Sequence, residues 1–507
     1  MAATCIRAEL IRFLMLGGDD LHPIHETGVT VIGGWISGQL DLRQARCDRY
    51  LNLRYCNFER SPVLASSRLA GLTLAGCSTP GLSADGMVVA GDVFLSAGFS
   101  ARGEVRLLGA QIGGSLGCGG GQFSNADPAG TPIGDALSAD RMVVTGSVFL
   151  NRGFSARGAV RLLGAQIGGN LDCGGGRFDN VDPAGTPIGK ALSADRMVVT
   201  GSTFFRDATV KGPIGLANAV VGGLVDRGFV WPAGLYLDGF RYARIAGGAT
   251  DAPTRISWLK QQRSSFLKAE DFRPQPWEQL INVLREMGHS AAAAEVAIAK
   301  QQAMRRAGQI GTREPNPALT GWRLKVDAIW VSAGNWASRR WHRAYGVLAG
   351  YGYRPADILV WAAGVWLAAA LCFGIAAWGG IMAPTSAVVV AKQQLRAELG
   401  IAAAKSSACG IRGEASSERY WPQCAALPSE YTTFNPVVYS LDLILPLVDL
   451  GQEEAWAPAA TYTDATGSVR WLEWGMAIRL LMWLEILFGW FASLMFVAIV
   501  SRLVEKD

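Results

Sequence analysis

The feature that most constrains this chain is a repeat. LSAD occurs at Leu82, Leu137 and Leu192, at intervals of 55 residues. Aligned over their full length, residues 82–136 and 137–191 agree at 43 of 55 positions. A third copy decays after Gly201, ANAVVGG at 217–223 still echoes GAQIGG, and ISGQLDL at 36–42 is a degenerate earlier copy. Repetition at a fixed period implies a stacked architecture, in which each unit buries its face on the next.

The unit has the period of strand rather than helix. In Val160-x-Leu162-x-x-Ala165-x-Ile167-x-Gly169-x-Leu171-x-Cys173, apolar or small residues alternate, with one slip between Leu162 and Ala165. Alternation is the strand signature, and slips and glycines mark corners. Glycine is concentrated here: 43 of the 62 glycines precede residue 251, against two of the 17 tryptophans, Trp35 and Trp231. Two differently built halves are therefore joined. A fold of very short strands turning at glycines resembles the pentapeptide-repeat family over roughly residues 28–245, although its five-residue A-D/N-L-x-x motif is followed only loosely. The resemblance implies a right-handed, four-sided β-solenoid. Such a coil takes about twenty residues, so two coils leave a surplus within the 55-residue unit. SNADPAGTPIGDA (124–136) and DNVDPAGTPIGKA (179–191) are the expected insertions, rich in turn residues. They should leave one corner as equivalent loops, two coils and about 10 Å apart.

The glycine runs GCGGG (117–121) and CGGGRF (173–178) lack the helix start that a phosphate loop needs. Cys118 and Cys173, one repeat apart, read as small inward residues rather than metal ligands. The segment AELIRFLML near Met1 is charged and runs into Gly17–Gly18. It reads as a short amphipathic helix capping residues 1–27, not a cleavable leader.

From about residue 251 the pattern becomes helical. PQPWEQLINVLREMGHS has Pro276 near its start and Gly288 as a stop, and SAAAAEVAIAKQQAMRRAG runs from Ser290 to Gly308. The two predict a helical hairpin across 251–318. Their wording resembles a segment following such repeats in bacterial membrane-associated proteins, some of which carry an oxidoreductase label. No nucleophile–base–acid set, metal spacing or dinucleotide fingerprint supports that reading, and no cofactor is expected.

Residues 319–356 interleave Trp322, Trp330, Trp336 and Trp341 with basic residues including Arg339, Arg340 and Arg343. A net charge of +5 on 507 residues is small for a nucleic-acid partner. The position of this segment, just before a long apolar run, predicts contact with membrane lipid at an anionic interface.

Two apolar runs follow, each long enough to cross a ~30 Å hydrocarbon core. Ile358–Met382 carries no charge, and the second span is set at 476–501, with Glu485 inside it. Residues 307–356 hold seven Lys/Arg and two acids, whereas the loop 384–470 holds six Lys/Arg and nine acids. The positive-inside rule then puts both termini in the cytoplasm and the 383–470 loop outside a bacterial inner membrane. Cys409 and Cys424 in that loop form an expected disulfide pair.

Within the loop, FNPVVYSLDLILPLVDLGQEEAW (434–456) is too short to span, and its apolar stretch 434–450 predicts a re-entrant or interfacial helix. Helix, short helix, helix resembles in layout the pore unit of tetrameric cation channels, with VDLGQEE where a potassium filter would carry TVGYG. The acids Asp442, Asp449, Glu453, Glu454 and Glu485 are the candidate ion-lining residues, because a carboxylate repeated around an axis concentrates cations. Asp449, before Gly451, is the first choice. Two spans per chain cannot enclose a channel, so a pore requires a homo-oligomer. The competing expectation is a non-conducting scaffold whose solenoid displays its loops to a cytoplasmic protein.

Overall fold

A computed structural model describes residues 4–19, 22–268, 271–386, 409–414, 419–423, 431–464 and 466–504. The chain divides into two compact units, residues 1–336 and 337–507.

The first unit is built on parallel strands, most of them two to four residues long, arranged in three principal sheets of nine, six and fourteen strands among the described residues. Each copy's strand pairs with a strand lying between it and the next copy. Leu82 pairs with Val105, Val105 with Leu137, Leu137 with Val160, and Val160 with Leu192. The intervals alternate between 23 and 32 residues, which together make the 55 of the repeat. The interval between paired strands is therefore longer than the twenty residues expected of a coil, and every second interval carries about nine extra. Those extra residues are the DPAGTPIG loops. They follow Gln122–Ser124 and Arg177–Asp179, two strands of one sheet with Ser155–Arg157 between them. Both fold alike: Asp127 accepts from the Thr131 amide and Asp182 from the Thr186 amide, each at 2.7 Å. Such turns are what an Asx side chain favours.

Packing follows from the alternation. Phe99, Phe123, Phe154 and Phe178 stack inward with successive ring centroids 5.1–5.4 Å apart, and Cys118 and Cys173 are fully buried. A seam of glycines lets neighbouring coils touch. A Cβ on Gly113 would lie 2.2 Å from the Ala90 carbonyl oxygen, so only glycine fits there.

The ends are closed by other elements. Thr4–Arg7 pairs in parallel with Gly34–Ser37, so residues expected to precede the sheets supply an edge strand. Helix α1 (Ala8–Met15) buries Ile11 and Met15. At the other end, residues 251–318 hold α2 (Ala252–Lys260) ahead of the two helices read from the sequence, α3 (Gln275–Glu286) and α4 (Ser290–Arg306). Asp251 caps α2 by accepting from the Thr254 amide. Beneath α2, Asp226 receives both terminal nitrogens of Arg255, at 2.6 and 2.9 Å, and the Trp231 indole N–H at 2.9 Å. Helix α3 lies on the last strand, Arg241–Gly247. Gln275 accepts from the Gly239 amide, Gln279 donates to the Tyr242 carbonyl, and Met287 Sδ accepts from the Ile245 amide. These side chains occupy hydrogen-bonding groups that a further strand would otherwise take. Helix α5 (Gly321–Ala349) has 29 residues.

The second unit contains two helices long and apolar enough to cross a membrane, α6 (Ala356–Trp378) and, beyond the short helix α7 (Pro436–Ile444), α8 (Gly475–Val504). Only 22% of either apolar window is buried, unlike the core helix of a soluble protein. The first run is helical only to Trp378. Gly379 and Gly380, the latter at φ +71°, end it, and Met382–Pro384 forms a strand antiparallel to Trp456–Pro458. Likewise, the expected helix over 434–450 is confined to nine residues. Asn435 caps its start and Pro436 follows, both favourable there. Leu445 turns extended before Pro446, because a residue preceding proline is driven out of the helical region. One core joins Phe373, Ala377 and Met382 with Cys409, Trp421, Tyr439, Leu443 and Trp456. Cys424 lies outside the described residues.

Candidate functional site

The short helix α7 lies against both long helices. Along α6, Pro436 sits beside Gly374, the Trp366 indole N–H donates to the Val437 carbonyl at 2.9 Å, and Ser440 Oγ is 2.9 Å from the Trp366 carbonyl. Along α8, Tyr439 meets Met482, Ser440 meets Glu485, and the Ile444 carbonyl lies against Gly489, where a Cβ would approach to 2.3 Å. At 1.5 Å per residue, Trp366 is ~15 Å from the start of α6 and Gly489 is ~21 Å from the start of α8. Helix α7 thus begins near the C-terminal end of α6, passes the midpoint of α6 at Ser440 and finishes beside the midpoint of α8.

After Ile444 the chain turns and comes back. Leu447 is 87% exposed, and Leu445, Val448 and Leu450 are also open. The return is fastened by Asp442, itself 4% exposed. Its carboxylate accepts the amides of Leu450, Gln452 and Glu453 at 2.6, 2.8 and 2.8 Å. Gln452 then ties the turn to the entry side, accepting from the Asn435 amide and donating to the Thr433 carbonyl. The Trp456 indole donates to the Thr432 carbonyl.

The five acids picked out from the sequence therefore divide by environment. Asp442 is buried and saturated with backbone donors, so its side chain lines nothing. Asp449 is exposed, with one oxygen accepting the Gly451 amide at 2.7 Å across a turn that needs φ +75° at that glycine. Glu453 and Glu454 are exposed in the turn that precedes the strand Trp456–Pro458. The Glu453 carboxyl is pushed above the usual range, first by partial desolvation beside the turn and then by the charges of Asp442, Asp449 and Glu454. The turn thus gathers four acids. Glu485 stands apart, 1% exposed, with Oε1 2.5 Å from Ser440 Oγ and Oε2 without a hydrogen-bond partner. It faces α7 of its own chain, not an open surface.

The aromatic and basic segment divides too. Trp322, Trp330 and Trp336 are 59–72% exposed along α5. Trp341 meets the Phe491 ring edge-on at 5.6 Å, and Tyr345 packs on Ala349, Ile358, Ala492 and Ile499. Arg339, Arg340 and Arg343 are exposed. The pair Asn435-Pro436 is a signal from which the start of α7 could have been read. Nothing in the sequence identified Ser440, Gln452 or Trp366 as the groups that fasten it. Comparison with protein-family models, with curated proteins and with solved structures returns no match to this chain.

Proposed function

We propose that this chain is the subunit of a homo-oligomeric, cation-permeable pore in a bacterial inner membrane. In this reading the parallel sheets form a right-handed quadrilateral β-solenoid in the cytoplasm, serving as sensor or assembly platform. Both termini are cytoplasmic, as the arginine bias before α6 implies, and the exposed tryptophans and arginines of α5 rest on lipid headgroups. The observation that carries the proposal is the turn after α7. Non-helical backbone beside the middle of two apolar helices, with the Asp449 carboxylate exposed, is tolerated in a bilayer only against protein or water. Copies arranged around an axis supply both, and Asp449, flanked by Glu453 and Glu454, becomes a ring of negative charge.

The test is ion flux or single-channel recording from liposomes, with Asp449→Asn beside the wild type. Cation-selective current that loses selectivity in the assembled variant supports the pore. A monomer in size-calibrated chromatography, or unchanged selectivity in the variant, removes it. A second reading is favoured by the two matching hairpins, which hold Ile133 and Ile188 exposed at equivalent positions. That spacing suits a scaffold binding a repetitive protein partner. Absence of flux together with loss of partner binding on Ile133→Asp and Ile188→Asp would make it the better account.

A further inference from the structure

We propose that Glu485 is a proton-binding site: a neutral carboxylic acid that donates to Ser440 and, through it, latches α7 to both long helices. Ser440 is fully buried, and its Oγ lies 2.5 Å from Glu485 Oε1 and 2.9 Å from the Trp366 carbonyl oxygen. A serine hydroxyl carries a single hydrogen, while a carbonyl and an ionised carboxylate only accept. One hydrogen cannot serve two such acceptors. The arrangement closes if the acid keeps its proton: Glu485 Oε1–H donates to Ser440 Oγ, and Ser440 donates to the Trp366 carbonyl. Three helices are then joined by one relay.

The surroundings favour the same state. Glu485 Oε2 is buried without a partner, which a neutral carbonyl oxygen withstands far better than an anionic one. Among the described residues no cation faces the group. Between Ile358 and Trp378, α6 carries no charged residue, and Cys372 is its sole titratable side chain. From α7 come Tyr439, whose hydroxyl points at Met482 Sδ, and Asp442, committed to three backbone amides. On α8 itself, Arg479 is six residues away and donates to the Pro458 carbonyl. Glu453, in the turn before the strand Trp456–Pro458, adds only negative charge. Removal of the proton would leave Ser440 one hydrogen for two acceptors and an uncompensated charge at the α7 contact, so the latch opens. This inference rests on the packing of α7 and not on conduction.

The full chain in detergent is treated with dicyclohexylcarbodiimide, which attacks protonated carboxyls in apolar surroundings. The acid adds across one C=N bond, its oxygen joining the central carbon and its proton going to nitrogen. Acyl migration then gives a stable N-acylurea, and nothing leaves. Peptide mapping should find the adduct on Glu485 and none at that position in Glu485→Gln. The second measurement is the Tm of both proteins from about pH 6 to about pH 9. The amide of Glu485→Gln can donate to Ser440 in place of the acid, so the two should agree within about 2 °C at the acid end. The folded wild type holds a proton that the unfolded chain releases, so its Tm should fall relative to the variant as pH rises. An adduct confined to Asp449, Glu453 or Glu454, or a wild-type Tm that holds or gains on the variant with rising pH, overturns the proposal.

Discussion

Replacing Asp442 should unfasten the turn without touching any exposed surface. Its carboxylate accepts three backbone amides at 2.6–2.8 Å while 4% exposed. Each hydrogen bond to a charged acceptor contributes about 1.5–3 kcal/mol. Simple addition overstates the total, because deletion also removes the cost of burying the charge, and breaking a buried ionic arrangement typically costs about 3–5 kcal/mol. Asp442→Ala is therefore expected to destabilise the second unit by about 4 kcal/mol, or roughly 10 °C in Tm. Asp442→Asn should cost about half of that. Its amide oxygen can keep the Gln452 and Glu453 donors, while its NH₂ faces the Leu450 N–H and loses that bond. Asp449→Asn, altered at an exposed site with one short-range bond, should stay within about 0.5 kcal/mol. Thermal unfolding in detergent gives the order Ala, Asn, then the Asp449 variant. Limited proteolysis should show new cleavage between Leu445 and Gly451 in the first two. If Asp442→Ala costs less than about 1 kcal/mol, or matches Asp449→Asn, the carboxylate does not hold the turn.

Gly489→Ala should cost about 2–3 kcal/mol, because its methyl would meet the Ile444 carbonyl oxygen at 2.3 Å. Gly364→Ala, with nothing near its Cβ, is the control, and equal Tm values for the two would refute the contact. In the first unit, Asp226→Ala strands the 2%-exposed Arg255 and should cost about 3–5 kcal/mol by denaturant unfolding; a change under about 1 kcal/mol would mean that water or another acceptor replaces the carboxylate. Non-reducing peptide mapping should recover Cys409 joined to Cys424, and two free thiols would reject the pairing.

Much of this architecture was legible because repetition exposes periodicity. Comparing two copies at 43 of 55 positions distinguishes the residues that alternate inward from those that vary outside, and the DPAGTPIG insertions stand out as the surplus. What stayed hidden depends on register between distant residues. Thr4–Arg7 joins a sheet through a partner thirty residues on, with no repeat to announce it. Helix α2 is short, and its clearest signal is the Asp251 cap. In the second unit, apolar length announced both long helices, but not the Gly379–Gly380 stop or the early end of α7 at Pro446. Sequence could list five acids. It could not tell Asp442 from Asp449, seven residues apart, because their difference lies in where the amides of Leu450, Gln452 and Glu453 point.

Helix α3 has a consequence for how this chain can change over generations. Gln275 holds the backbone just before the final strand, and Gln279 and Met287 hold the strand itself, just as Thr4–Arg7 and α1 finish the opposite end. Between residues 82 and 201 the paired strands present nearly the same faces to one another. Gene duplication that adds or removes one 55-residue segment would therefore leave both closures untouched and every internal contact remade in kind. The span between the ends is free to drift in whole units, while the terminators tolerate little. Lengthening by duplication thus offers a route to a longer molecule that never exposes an open edge to its neighbours in solution.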